Sequence, residues 1–255
     1  MNINNKPLFH AIGSFVAIGI VWHLISVYSG WSAQVFAGPY EVFAALWQLT
    51  LDGSLIKHSV ASLFRVTAGF YLAIVFGIPL GMLLGRITTL RLFINPVINF
   101  LRPISPLAWI PLAMLWFGIG DMPAIFLIFL SSFFPLVVAT AVAVRSINPV
   151  YFQVAANFNF SRYEIVKKII IPATVPAIVV AIRLSITIAW LVVVAAEMIA
   201  VQSGLGYLII DSRNALRMDY VMVGMVVIGI IGLLLDYLMR QLGKFESASW
   251  GFHAR

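Results

Sequence analysis

The chain has 255 residues, of which 62% are hydrophobic and only 10% charged, and its mean hydropathy is +1.03. Soluble domains carry about a quarter charged residues, so this composition excludes a water-soluble fold and implies an integral membrane protein. With no cysteine there is no disulfide, thiol nucleophile or thiolate metal site. The four histidines (His10, His23, His58 and His253) are too scattered for a helical metal pair, and the net charge of +7 suits basic cytoplasmic loops better than nucleic-acid binding.

A helix needs about 20 apolar residues to cross about 30 Å of hydrocarbon. Six stretches qualify, at 9–29, 60–85, 92–117, 122–144, 173–198 and 220–239. The expected architecture is therefore all-α with six transmembrane helices. It forms one transmembrane domain over 1–255, with core helices at about 59–242. The first stretch is longer than a signal-peptide core and no clean small-x-small cleavage site follows, so it is expected to be a retained span.

In the second stretch Gly69, Ala73, Gly77, Gly81 and Gly85 form an i+4 row of small residues, which lets backbones approach closely in lipid. A similar row in the fifth (Ala173, Ala177, Ala181, Ser185, Ala189) is a candidate partner for it. Pro96, Pro103, Pro106 and Pro111 interrupt the third stretch, which is expected to be kinked or broken.

With the N-terminus inside, ten basic residues face the cytoplasm: Lys6, Arg86, Arg91, Arg145, Arg162, Lys167, Lys168, Arg240, Lys244 and Arg255. Only Lys57, Arg213 and Arg217 then fall outside, so both termini are expected to be cytoplasmic. Trp31, Trp47 and Trp250 are compatible with interfacial anchoring.

Between the fourth and fifth stretches lies the one long cytoplasmic loop, about 145–172. Pro149 can start a short helix ending near Phe158, and Asn159 can take the left-handed turn that follows. Ser161-Arg162-Tyr163-Glu164 reads as a capping box opening a second helix, with Lys167 and Lys168 in its last turns and Pro172 ending it. Phe158 and Phe160 flank the turn. Such a rigid aromatic elbow suits either an interfacial linker or a knob for a cytoplasmic groove.

Charges inside a span each need a partner or a purpose. Arg65 and Glu197 fall at matching depths near the outer side and are expected to pair, or to form a gate or substrate contact. Arg102 and Arg183 fall deeper, with no acidic residue expected at their level. They are candidates for contact with an anionic substrate, or in the case of Arg102 for bonding carbonyls freed by Pro103 and Pro106. Trp109 and Trp116 lie in the broken stretch, where they pack or narrow a pathway. Asp236 is expected to pair with Arg240 one turn on. His10 and His23 read as core or interface residues.

Gln153-Val-Ala155, Asn159 and Ile170-Ile-Pro172 together resemble the "EAA" coupling loop of ABC importer permeases, with Gln153 in place of the usual Glu and Asn159 in place of the usual Gly. The stretch from Arg102 to Gly120 is similar to the third span of the permeases for nitrate, bicarbonate, taurine and alkanesulfonates. Val194-Ala-Ala-Glu197-Met198 with Gly204-Leu-Gly206 is similar to the end of their fifth. The resemblance runs from Ser59 onward.

It implies the type I importer fold in a bacterial cytoplasmic membrane: a permease homodimer with two cytoplasmic ATPases and an extracytoplasmic substrate-binding protein. ATP and Mg would be held by the ATPases, and this chain would carry no cofactor and no catalytic residue. Gln153, Ala155, Phe158, Asn159, Phe160, Ser161, Arg162 and Glu164 would form the coupling loop. The absence of a Walker A loop fits that division of labour. A secondary transporter or channel subunit is the alternative, although no inverted repeat is visible. Within the importer reading the cargo is a small anion or, alternatively, a vitamin-precursor-type molecule. An intramembrane enzyme with Glu197 or His23 as base lacks any nucleophile–base pairing.

Overall fold

A computed structural model describes residues 6–32 and 34–247, with side chains described for 13–32 and 34–241. The expectations for Lys6, His10, Lys244, Trp250 and Arg255 lie outside the described side chains. Among the described residues all regular structure is helical. The helices are α1 (Lys6–Tyr28), α2 (Pro39–Leu51), α3 (Ser54–Arg86), α4 (Thr88–Leu101), α5 (Ile110–Phe117), α6 (Asp121–Arg145), α7 (Pro149–Asn157), α8 (Arg162–Ile165), α9 (Ile171–Ala200), α10 (Leu205–Asn214) and α11 (Met218–Ser247).

Among the described residues four helical segments are long and apolar enough to cross a membrane: Ser54–Arg86, Asp121–Arg145, Arg162–Ala200 and Met218–Gln241. The proline-rich stretch supplies a fifth crossing only as a bent pair. Thr88–Leu101 and Pro106–Phe117 meet at 87° across Arg102-Pro-Ile-Ser105, the break that the prolines predict. A 3₁₀ turn over Pro106–Trp109 then leads into α5. The described apolar part of α1, Gly13–Tyr28, is shorter than these spans.

The core forms around α6. Its neighbour α3 runs parallel to it, and the glycines of the α3 row lie against α6, while Ala73 of that row also meets α9. A Cβ added at Gly69 would stand 2.6 Å from the Ile125 carbonyl, one at Gly81 2.6 Å from Thr140 Cβ, and one at Gly85 2.5 Å from Val144 Cβ. A four-residue step on α3 thus meets a four-residue step on α6, the close-packed geometry that small residues permit in lipid. On α9, Ala181, Ser185 and Ala189 are buried, and Ala181 joins Ala73 and Leu136 in one cluster, while Ala173 and Ala177 are exposed. Spacing identifies such a row but does not name its partner.

Pro172 does not end a helix. A π turn over Val166–Ile170 joins α8 to α9, so the helix runs from Arg162 to Ala200 with Pro172 inside it, and the widened turn accommodates a residue that cannot donate to the turn before it.

Candidate functional site: a polar cluster, a mid-depth cavity and a surface elbow

At the Ser54 end of the bundle the Arg65 guanidinium is buried and engaged on all three nitrogens. Nη1 donates to Glu197 Oε1 at 2.6 Å and to the Ser203 carbonyl at 2.8 Å, Nε donates to Asp121 Oδ1 at 2.8 Å, and Nη2 reaches Ser203 Oγ. The expected pairing with Glu197 is therefore present. Asp121, Ser203 and Ser62 join it.

Glu197 is fully buried and also accepts from Ser62 Oγ (2.8 Å) and from the Gly206 N–H (3.0 Å). The Leu205 N–H donates to Ser62 Oγ and the Gly204 N–H to His58 Nδ1. All three amides sit at the start of α10, whose unsatisfied N–H groups and dipole favour a carboxylate. Gly204 has φ +103, and a Cβ there would lie 2.3 Å from the Glu197 carboxylate. Glycine is required at this position to let the loop close over the acid. Because the guanidinium is saturated, it has no donor left for a passing anion.

Arg183 corrects the sequence reading. Its Nε donates to Asp236 Oδ1 at 3.0 Å, and Asp236 also receives Arg240 at 2.8 Å. The expected Asp236–Arg240 pair exists, but the acid bridges two cations. The depths were misjudged because α11 extends to Ser247, beyond the apolar stretch 220–239, which places Asp236 well inside the helix. At 1.5 Å per residue Asp236 lies about 16 Å from that end, level with Arg183.

Arg102 differs. It is exposed, and its side chain has no hydrogen-bond or carboxylate partner among the described residues, so it does not hold the proline-freed carbonyls. It lines a cavity of about 200 Å³ at the α4–α5 break, together with Ile104, Trp109, Ser131, Phe134 and Ile188. Trp109, expected near a pathway, is thus beside Arg102. Trp116 is not. It is exposed and rests edge-on against Phe117 and Phe126. His23, Trp31 and Trp47 are exposed, and none of them lines the cavity or bonds the Arg65 cluster.

At the opposite end, past Arg86 and Arg145, α7 and α8 form the expected elbow. Asn148 caps α7 through the Val150 N–H. Asn159 has φ +51, the left-handed turn read from its type. Both halves of the Ser161–Glu164 capping box are made, and Lys168 bonds Glu164 at 2.8 Å. Ala155 is 1% exposed and faces the bundle, so it is not a contact residue for a partner. Phe152 packs beside Ile147, Ile165 and Ile170 and carries the Arg86 guanidinium over its ring at 4.5 Å. Gln153, Asn159 and Arg162 are exposed, as are Tyr151, Phe158 and Tyr163. Phe160, half-buried, lies 6.3 Å from the Phe158 ring and under Lys168 Nζ.

Long apolar helices packed around a buried Arg65–Glu197 pair, with a bent helix pair at one side and a capped helical elbow at one end, are the architecture of an integral membrane protein. The chain belongs to the family described as "binding-protein-dependent transport system inner membrane component", which residues 77–245 match, and is an ABC transporter permease of the inner membrane. It is 37% identical over 246 residues to a putative ABC transporter permease protein of Methanocaldococcus jannaschii (95% of this chain, 92% of that one). It is 32% identical to the taurine transport system permease protein TauC of Escherichia coli (92% and 87%), and 35% identical to the nitrate import permease protein NrtB of Leptolyngbya laminosa (90% and 84%). The fold is that of the MetNI methionine ABC transporter in an inward-facing conformation, with TM-score 0.66 and 18% identity over 77% of this chain and 98% of that one.

Proposed function

We propose that the chain is the permease of an ATP-driven importer for a small anion of the nitrate, bicarbonate, taurine or alkanesulfonate class. The observation that carries this is identity above 30% with taurine and nitrate permeases along nearly the whole chain. The working unit is a homodimer of this chain with two cytoplasmic ATPases and an extracytoplasmic binding protein. ATP and Mg sit on the ATPases, and this chain contributes no cofactor site.

Six spans with both termini cytoplasmic agree with the ten-to-three distribution of basic residues. That topology puts the Arg65–Glu197 cluster outside and the α7–α8 elbow in the cytoplasm. The elbow then offers Phe158 and its neighbours Tyr151 and Tyr163 to an ATPase groove, while Phe152 and Arg86 transmit its displacement to the end of α3. The cluster is a strut that fixes α10 against α3 and α9.

Co-reconstitution of the permease with its ATPases and binding protein in liposomes tests this. ATP-dependent uptake of taurine, ethanesulfonate, nitrate or bicarbonate is expected. Uptake driven by an ion gradient without the ATPases, or ATP-driven uptake of a neutral or cationic vitamin-precursor-type molecule in place of all four anions, overturns it.

A further inference from the structure

We infer that the cavity at the α4–α5 break is a transient oxyanion site within the permease, formed by Arg102, Trp109 and Ser131. The inference rests on the importer reading and adds a place inside the membrane where the cargo pauses.

Depth comes first. Ser131 lies ten residues into α6, about 15 Å from its Asp121 end and about 21 Å from its Arg145 end. The cavity is therefore near mid-bilayer. An arginine there needs a partner or a water-filled space, because its charge is costly in hydrocarbon. The other two arginines within the spans have their acids, Glu197 and Asp121 for Arg65 and Asp236 for Arg183. Arg102 has none among the described residues, and no acidic side chain lines the cavity.

A second donor is also free. The indole N–H groups of Trp22 and Trp190 donate to backbone carbonyls, whereas that of Trp109 has no acceptor among the described residues. Ser131 Oγ donates to the Ile128 carbonyl at 2.8 Å, a local bond that a serine can exchange for a ligand oxygen by rotating χ1.

The remaining wall is apolar, with Ile104, Phe134 and Ile188 among its residues. A planar guanidinium and an indole N–H lining one cavity, with no competing carboxylate, favour an anionic oxygen group, acceptor-only in sulfonate and nitrate and with a single O–H in bicarbonate. About 200 Å³ is several times the ~30 Å³ share of one water, so a small organic sulfonate has room. One cation and two neutral donors attract without holding tightly, which suits a site that must also release.

The break itself makes the site. Pro103 and Pro106 turn the chain by 87°, which aims Arg102 and Trp109 from two different segments into one space.

The test uses the purified permease–ATPase complex without its binding protein, titrated with ethanesulfonate and, as an uncharged match, ethanesulfonamide, and read by tryptophan fluorescence. Saturation by ethanesulfonate is expected, with ethanesulfonamide inert. Arg102→Gln abolishes the saturation, Arg102→Lys weakens it, and in liposomes Arg102→Gln raises the apparent KM for uptake about tenfold or more.

Equal response to both probes, unchanged binding in Arg102→Gln, or loss of assembled complex in both Arg102 variants overturns the site and makes the arginine a strut. Each of those results leaves wild-type ATP-driven anion uptake intact. Failure of that uptake overturns the importer reading instead.

Discussion

Arg65 and Glu197, 132 residues apart in the chain, meet at 2.6 Å with the carboxylate wholly out of contact with solvent. Removing one member of such a pair leaves a buried charge uncompensated, so Arg65→Ala is expected to cost about 3–5 kcal/mol. A charge-swapped double variant should recover little. It would aim a guanidinium at the Gly206 N–H and the start of α10 and set a glutamate against Asp121. Glu197→Gln should be milder, since an amide oxygen still accepts from Gly206. Thermal unfolding of the purified complex, with a double-mutant cycle, measures each effect. A zero coupling energy between the two positions would contradict the pairing.

How far the sequence foretold this region depends on what each inference required. Depth counting along two regular helices was enough to bring Arg65 and Glu197 together. It could not supply Ser203 or Asp121, which reach the pair through the loop before α10 and the α6 terminus, and it did not single out Ser62, one turn before Arg65 on α3. The break at Arg102–Ser105, the Asn159 turn and the Ser161 capping box were legible because each is decided by neighbours within four residues. The Arg183–Asp236 contact was missed because helix length was judged from apolar residues alone, and α11 continues past them. The burial of Ala155 within the loop was not legible either. A nine-residue helix with apolar residues on several sides does not reveal which face the bundle covers. The family resemblance, carried by loop and span motifs, was legible throughout.

The glycines should separate by what surrounds them. At Gly77 a Cβ would meet its nearest atom at 3.3 Å, whereas at Gly69 and Gly81 it would meet backbone carbonyl or Cβ atoms of α6 at 2.6 Å. Gly77→Ala is therefore expected to be nearly neutral, and Gly81→Ala to cost about 1–3 kcal/mol through forced separation of α3 from α6. Gly204→Ala should be worse still, combining a φ of +103 with a clash on Glu197. Gly53, at φ +75 with open space around it, should accept Asn almost freely. Expression yield and melting temperature in detergent rank the four. Equal losses at Gly77 and Gly81 would argue against the α3–α6 register.

Asp236 should behave as a bridge and not as part of the pathway. Arg183 and Asp236 are both partly exposed, so the pair is worth less than the buried one, and Asp236→Asn should lower stability far less than Arg65→Ala does. Arg183→Gln should leave the apparent KM for anion uptake unchanged, in contrast to Arg102→Gln, because its charge is already matched. A KM shift as large as that of Arg102→Gln would instead put Arg183 in contact with the cargo.

The elbow offers the sharpest separation between a docking residue and a supporting one. Phe158 is 72% exposed and sits at the C-terminal end of α7, directly before the left-handed Asn159. Phe158→Asp should therefore preserve the melting temperature while reducing the number of anions imported per ATP hydrolysed, since an aspartate cannot fill an apolar groove. Cysteines at Phe158 and Tyr151 should crosslink to an ATPase, and a cysteine at Ala155 should not, because that side chain faces the bundle. Ala155→Asp should act differently from Phe158→Asp. Placing a charge beneath α7 should unseat the elbow and lower stability before any uncoupling is measured. Asn159→Gly should keep coupling intact, since glycine takes the same positive φ, while Asn159→Val should impair it, because a β-branched residue there is strained. Crosslinking from Ala155 with none from Phe158 would reverse the assigned faces of α7. Normal coupling in Phe158→Asp would remove this aromatic from the ATPase contact.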